Sequence, residues 1–442
     1  MLPFLIILLS LGFIIVAIIK YNIHPFLALL VGAIGYGLLA GMSTELIIQS
    51  ITEGFGGVLG RIGLLILFGV IIGTFLEKTG GAFVIAQKVL SWIGEKSVML
   101  GMMITGFILS IPVFGDSAFI MLNPINKSLS FKGKLPYAAT TIALALGLTA
   151  SHSLVPPTPG PIAAAGILEA DLGLVIFYGF IVGTLSLVPC FFFTKYYVSR
   201  FELIPQFADI EKTTVVKKYP SVGKSFLPII IPLLLIVLAS IAAYPTKPFG
   251  DNTFTAIILF FGNPIIALLL GTLLSFTLPA RFDVSLLSAS GWMGEALSIA
   301  APVILITGAG GIFGKMLQNS GIADLVSNSV QAGNWSLLLP FLMALALTTA
   351  QGSSTVALVT TASIMAPLLA TLGLDSESMR VFTVLAIGAG ATAVSHANDS
   401  FFWAMTQLSG MNIKVGYQAH SVGTLILATT AILIIYALTA IT

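Results

Sequence analysis

Four titratable side chains stand inside otherwise apolar stretches: Asp116, His152, His396 and Asp399. On insertion scales an aspartate at the centre of a membrane helix costs about 2.5–3.5 kcal/mol. Such a residue is therefore a functional candidate, against the plainer reading that it caps a helix end. Two carboxylates and two histidines are suitable members of a proton relay. Histidine titrates near neutral pH, and burial shifts a carboxylate up toward that range. Asp116 and Asp399 are the first candidates for coupling, with His152 and His396 assisting. Beside them lie small hydroxylated runs, Gly115-Asp116-Ser117, Gln351-Gly352-Ser353-Ser354-Thr355 and Ser395-His396-Ala397-Asn398-Asp399-Ser400. At the first two runs, read as the tips of two hairpins, a helix start presents free N–H groups and partial positive charge, which suits a carboxylate. Ser117, Thr158, Ser353, Ser354, Thr355, Asn398 and Ser400 then offer polar groups to a hydroxylated ligand, with His152, Gly160 and Gly352 among them. Unwound carbonyls and hydroxyls suit sodium equally, so these residues leave the coupling ion open between a proton and Na⁺. For an isolated Ser-Ser-Thr run the plain reading is small-residue helix packing. Its pairing with Gly115-Asp116-Ser117 favours a site.

The elements that must hold these residues are membrane helices. The chain of 442 residues is 57% hydrophobic and 8% charged, with a net charge of +2. Soluble domains carry about a quarter charged residues, so an all-α polytopic membrane protein is expected. A single cysteine, Cys190, excludes an intrachain disulfide, and the four histidines lack metal-ligand spacing. Nucleophile, zinc-protease and phosphate-loop motifs are missing, so neither an enzyme nor an ATPase is expected, and no cofactor or metal. Residues 4–19 are expected to form a first membrane helix rather than a cleaved leader.

The run Ser151-His152-Ser153-Leu154-Val155-Pro156-Pro157-Thr158-Pro159-Gly160-Pro161 holds four prolines, which remove backbone donors and disfavour helix in the residue before each. A broken membrane helix is expected there, with His152 at the break. Residues 98–122 are interrupted at Pro112 and Gly115-Asp116-Ser117 and suggest a re-entrant hairpin. Residues 335–369 are interrupted at Gln351–Thr355 in the same way. Residues 51–59 and 322–331 suggest interfacial segments, 62–76 a span, and 254–278 one apolar run.

The two halves repeat. Gly69-Val-Ile-Ile-Gly73-Thr-Phe-Leu76-Glu-Lys-Thr-Gly80 matches Gly310-Gly-Ile-Phe-Gly314-Lys-Met-Leu317-Gln-Asn-Ser-Gly321 at five of twelve positions. Further along, Gly115-Asp116-Ser117 meets Gly352-Ser353-Ser354, Ser151-His152 meets Ser395-His396, and Gly183-Thr184 meets Gly423-Thr424. Residues 1–194 and 226–442 are expected to be the two repeats. Residues 195–225 join them as a lysine-rich linker, cytoplasmic by the positive-inside rule. About five crossings plus one hairpin in each half is an odd number of passes, which inverts the second repeat, a recurrent architecture of secondary transporters. Lys247, Lys315 and Arg380 fall on the outer side and are exceptions to the charge rule. Arg61 and Glu295 lie near helix ends, where snorkelling is the plain reading.

His152-x-x-x-Pro156-Pro157-Thr158-Pro159-Gly160-Pro161, followed by Ile-Ala-Ala-Ala-Gly166, resembles the signature of the gluconate:proton symporter family. So do Pro112-Val113-Phe114-Gly115-Asp116, Gln351–Thr355 with Thr360-Thr361-Ala362-Ser363, and His396-Ala-Asn398-Asp399-Ser400-Phe401-Phe402-Trp403. The likeness runs over nearly the whole chain. It implies import of a sugar acid such as gluconate, a related hydroxy acid or D-serine, by proton symport across the bacterial cytoplasmic membrane. It also implies a homodimer with a scaffold and a mobile transport domain, moving as an elevator. Two positions depart from the family pattern. Thr158 stands where a second histidine is usual, and Phe114-Gly115-Asp116-Ser117 stands for the usual Phe-Phe-Asp-Val. A smaller or differently hydroxylated acid is therefore also compatible. Na⁺ coupling and a passive facilitator of the same fold are the alternatives, and the partners expected are the carboxylate, the bilayer and a second copy, with no nucleic acid.

Overall fold

The computed structural model describes residues 6, 9, 10, 12–14, 16, 17, 20, 21, 23–93, 97–203, 219–243, 248–250, 252–320, 337–396 and 399–441. Residues 204–218 of the linker, the segment expected at 322–331 and Asn398 lie outside the described residues. Within them the chain forms helices and no strand. Six helices are long and apolar enough to cross a membrane, and a bent pair makes a seventh.

The first half contains α1 (Pro25–Leu39) and α2 (Thr44–Thr79), then α3 (Gly81–Ile93), α4 (Val98–Leu109), α5 (Gly115–Lys132), α6 (Tyr137–Leu154), α7 (Pro159–Ile167) and α8 (Leu172–Tyr196). In the second half follow α9 (Val222–Ala243), α10 (Thr253–Phe261), α11 (Pro264–Ser275) and α12 (Trp292–Asn319). After these come α13 (Leu338–Gln351), α14 (Ser354–Met365), α15 (Glu377–Thr392), α16 (Ser400–Ser409) and α17 (Ile413–Thr439), which carries a π turn at Tyr417–Ser421.

Helix α2 corrects one expectation. Residues 51–59 do not lie along an interface. They belong to one helix of 36 residues, opened by Ser43, whose hydroxyl accepts from Leu46 N–H, and closed by Gly80 at φ 72°. The weakly apolar stretch stays helical because it packs on protein. A Cβ at Gly54 would lie 2.6 Å from the Gly311 carbonyl oxygen of α12, so the two backbones touch. Helices α2 and α12 run antiparallel. Lys78, near the end of α2, pairs with Glu295 near the start of α12 at 2.7 Å, while Glu53 pairs with Lys315 at 3.3 Å. These are the two helices that carry the twelve-residue match.

Residues 254–278 are a second correction. The run bends by 64° between α10 and α11. Gly262 ends α10 and Asn263 caps α11, accepting from Ile265 N–H at 3.1 Å.

The proline-rich break is shorter than the prolines suggest. His152 remains in the last turn of α6, and only residues 155–158 are non-helical. The two extended residues are Val155 (φ −122°, ψ 115°) and Thr158 (φ −57°, ψ 143°), each directly before a proline. Pro159 and Pro161 fall in the first turn of α7, where a missing N–H costs nothing. The matching break in the second half runs from Ala393, which ends α15, to Asp399, which caps α16.

The matched glycines have a use in packing. An added Cβ at Gly69 would come 2.7 Å from the Pro157 oxygen, and one at Gly73 2.2 Å from the Pro112 oxygen. Both interruptions of the first half therefore rest on glycines of α2. In the second half Gly310 meets the Ser363 side chain of α14 at 2.2 Å by the same measure.

Candidate functional site

Three helix N-termini open onto one cavity of about 470 Å³. Helix α5 begins there with Gly115, Asp116 and Ser117. Helix α14 begins there with Ser354 behind its cap Ser353, whose hydroxyl accepts from Val356 N–H at 3.4 Å. Helix α16 begins there with Ser400 behind its cap Asp399, whose Oδ1 accepts from Phe401 N–H at 2.9 Å. Gly352, at φ 72°, closes α13 in the left-handed region where glycine is unstrained and turns the chain into α14. The far wall comes from α2, through Gly73, Thr74 and Glu77, and from α12, through Ile299, Pro302, Val303 and Ile306.

The two aspartates come together at the start of α16. Ser400 Oγ donates to Asp116 Oδ2 at 3.1 Å, and Ser400 directly follows Asp399. Ser395 Oγ donates to Asp399 Oδ2 at 2.5 Å. Helices α5 and α16 are held side by side beneath this contact. Phe119 and Phe401 meet edge to face at 5.8 Å, and Asn123 Nδ2 donates to the Leu408 carbonyl at 2.9 Å. The break before α16 is fastened to α17: Ser421 Oγ donates to the Ser395 carbonyl, and Ser395 N–H donates to Thr424 Oγ1 at 3.1 Å.

The charge of this cavity is one-sided. Its titratable lining groups are Glu77, Asp116, Asp399 and His152, and no lysine or arginine stands among the described lining residues. His152 Nδ1 has no hydrogen-bond partner among the described residues. An anion entering this space finds its positive charge in the helix N-termini alone. The described residues hold no cluster of three or more potential metal ligands.

The whole chain answers to one family. The model of the GntP family permeases matches residues 2–441. The gluconate permease of Pseudomonas aeruginosa is 33% identical, covering 95% of this chain and 94% of its own length. The inner membrane permease YgbN of Escherichia coli K12 is 34% identical over 94% of each chain. The chain belongs to the GntP permease family. It is a permease, not an enzyme, and a multi-pass protein of the bacterial cytoplasmic membrane. Another relative, the Gnt-II system L-idonate transporter of E. coli K12, is 30% identical over 91% of each chain. Among solved structures, the YdaH transporter of Alcanivorax borkumensis aligns at a TM-score of 0.63 with 12% identity, covering 89% of this chain and 88% of that one. This last likeness is one of fold.

Most of the site residues expected from the permease sequence line the cavity: Asp116, Ser117, His152, Gly352, Ser353, Ser354, Thr355, Asp399 and Ser400. Three lie elsewhere. Thr158 is buried, and its hydroxyl donates to the Val155 carbonyl at 2.8 Å, inside its own break. Gly160 is a packing position, where a Cβ would come 2.7 Å from Leu358 of α14. His396 is turned away, its Nε2 donating to the Thr349 carbonyl at 2.9 Å. Glu77 was missed. It reaches the cavity from α2 and faces the Ser117 hydroxyl. Its signal was its place in the repeated segment, one residue past the span expected at 62–76.

Proposed function

We propose that the permease imports a small hydroxylated carboxylate, a sugar acid such as gluconate, by proton symport. The observation that supports it is the cavity itself. Acids from both halves line it, Asp116 bonded by the Ser400 that follows Asp399, helix N-termini point into it, and no lysine or arginine stands among its described lining residues. A carboxylate brought beside ionised Asp116 and Asp399 meets like charge at close range. Protonation of either aspartate lessens that repulsion, so anion and proton bind better together than apart. The Ser and Thr hydroxyls around the helix tips serve the hydroxylated tail. Relatives named for gluconate and L-idonate support this substrate class.

The antiparallel run of α2 and α12 supports reading residues 1–194 and 226–442 as inverted repeats of about five crossings each, joined by the cytoplasmic linker 195–225. On this reading α2 and α12 belong to a scaffold. The helices bearing the site move past it as an elevator, in a homodimer.

The test is uptake of labelled gluconate into proteoliposomes. Accumulation against a gradient, driven by ΔpH and abolished by a protonophore, is expected. Equilibration alone would indicate a facilitator, and a strict Na⁺ requirement would replace the proton. Asp116→Asn is expected to lose accumulation; a variant that still concentrates substrate would remove Asp116 from coupling. Parallel runs with glycerate, lactate and D-serine define the substrate.

A further inference from the structure

A second large cavity, about 710 Å³, lies at the opposite ends of α2 and α12. Its wall holds Val58 and Arg61 of α2 and Gly314, Lys315 and Gln318 of α12. The register that matches Gly69 with Gly310 matches these residues to the wall of the first cavity. Gly73 corresponds to Gly314, Thr74 to Lys315 and Glu77 to Gln318, while Ile299 corresponds to Val58 and Pro302 to Arg61. The second cavity is thus walled by the repeat equivalents of the first. A site that leaves the first cavity by the inverted motion comes to face it.

The two walls differ in charge. At the first, Glu77 stands beside the Lys78–Glu295 pair, which leaves one net negative charge. At the second, the α2 and α12 residues Arg61, Lys315 and Glu53 leave one net positive charge, while Glu169, Asp375 and Arg380 line the cavity from the other helices and loops. Arg61 is here occupied by Glu169, from the loop after α7, and Arg380 of α15 also reaches Glu169 at 3.6 Å. Helix α15 packs with the site-bearing helices and α7 packs between α14 and α2, whereas Arg61 is on α2 itself. On the elevator reading proposed above, movement of the site past α2 would separate Arg61 from Glu169 and free its guanidinium.

We infer that Arg61 and Lys315 form a side-specific anion-binding wall, which contacts the carboxylate substrate only while the site faces the second cavity. The opposing Glu77 wall weakens anion binding after translocation. This deepens the proposed function and rests on its carboxylate substrate and moving site. The affinity difference between faces favours release at the Glu77 face; the driving force for accumulation still comes from the coupled ion. Two of the lysine and arginine residues that break the positive-inside rule then gain a use, since Lys315 joins the wall and Arg380 holds the Glu169 that must let Arg61 go.

Labelled gluconate transport is measured in right-side-out and in inverted membrane vesicles containing the full chain. In Arg61→Gln the half-saturation constant at the Arg61 face is expected to rise roughly tenfold, the scale of one lost charge-assisted hydrogen bond. At the opposite face it is expected to stay within about twofold. Arg61→Lys keeps the charge and is expected to restore most of the affinity, which separates this role from a folding defect. Lys315→Gln, made together with Glu53→Gln to leave no unpaired acid, is expected to act at the Arg61 face also. Glu77→Gln is expected to lower the constant at its own face. Equal shifts on both faces, or none, would overturn the side-specific wall while wild-type gluconate transport leaves the proposed function standing. A wild type that transports no carboxylate overturns both.

Discussion

The two broken helices begin from matching Ser-His pairs and end in different chemistry. The first break, residues 155–158, satisfies itself. Thr158 bonds back to Val155, the Pro157 carbonyl rests on Gly69, and the void beside Thr158 is only about 10 Å³. The second break spends its polar groups on the cavity, where Asp399 caps α16 while bonding Ser395. Prolines give the first break its shape by removing donors that would otherwise need partners. The second break holds no proline; the N–H groups of Ser395 and Asp399 bond Thr424 Oγ1 and the His396 carbonyl, and the Asp399 side chain lines the cavity. We propose that the two breaks divide the work between a rigid former and a reactive face.

The largest test of that division is Asp399→Asn. Asparagine caps a helix as well as aspartate does, so α16 is expected to stay folded. Loss of a charged hydrogen-bonding group worth about 1.5–3 kcal/mol predicts a roughly 10- to 100-fold fall in ΔpH-driven uptake. Retained uptake would place the reactive face elsewhere. Gly69→Ala addresses the other break. Its methyl group would crowd the Pro157 carbonyl, an overpacking of about 1–3 kcal/mol. A lower melting temperature of the purified protein is expected, with substrate affinity little changed. Ser395→Ala removes one bond to Asp399, and the net loss of about 1 kcal/mol corresponds to a roughly fivefold drop in uptake. Thr158→Val is the smallest. Uptake is expected to change by less than about twofold, since the hydroxyl serves its own backbone. A large loss there would return Thr158 to the substrate and blur the contrast between the breaks.

The sequence was informative where local chemistry decides. Apolar length marked the spans, and glycine, aspartate and serine marked the helix starts at Asp116 and Ser353, while the start behind Asp399 was read only as a break. It was weaker where distant contacts decide. Residues 51–59 resemble an interface segment until Gly311 is placed against Gly54. Glu77 resembles a helix-end acid until Ser117, forty positions on, is brought beside it. His152 stays helical because the prolines act on the residues just before them, Val155 and Thr158, rather than on the whole run. The bend at Gly262-Asn263 lies in a stretch apolar enough to pass for one helix.

The three helix starts at the cavity have a consequence for how the substrate range can change. Their anion-attracting groups are main-chain N–H dipoles, which a side-chain substitution leaves in place. The hydroxyls around them are side chains and can be exchanged one codon at a time. A lineage built on this fold therefore keeps its grip on the acid end of its cargo and drifts in its taste for the remainder. Separate proteins of the family named for gluconate and for L-idonate fit that pattern. Screens for altered specificity are best aimed at Ser117, Thr355 and Ser400, with the glycines left alone.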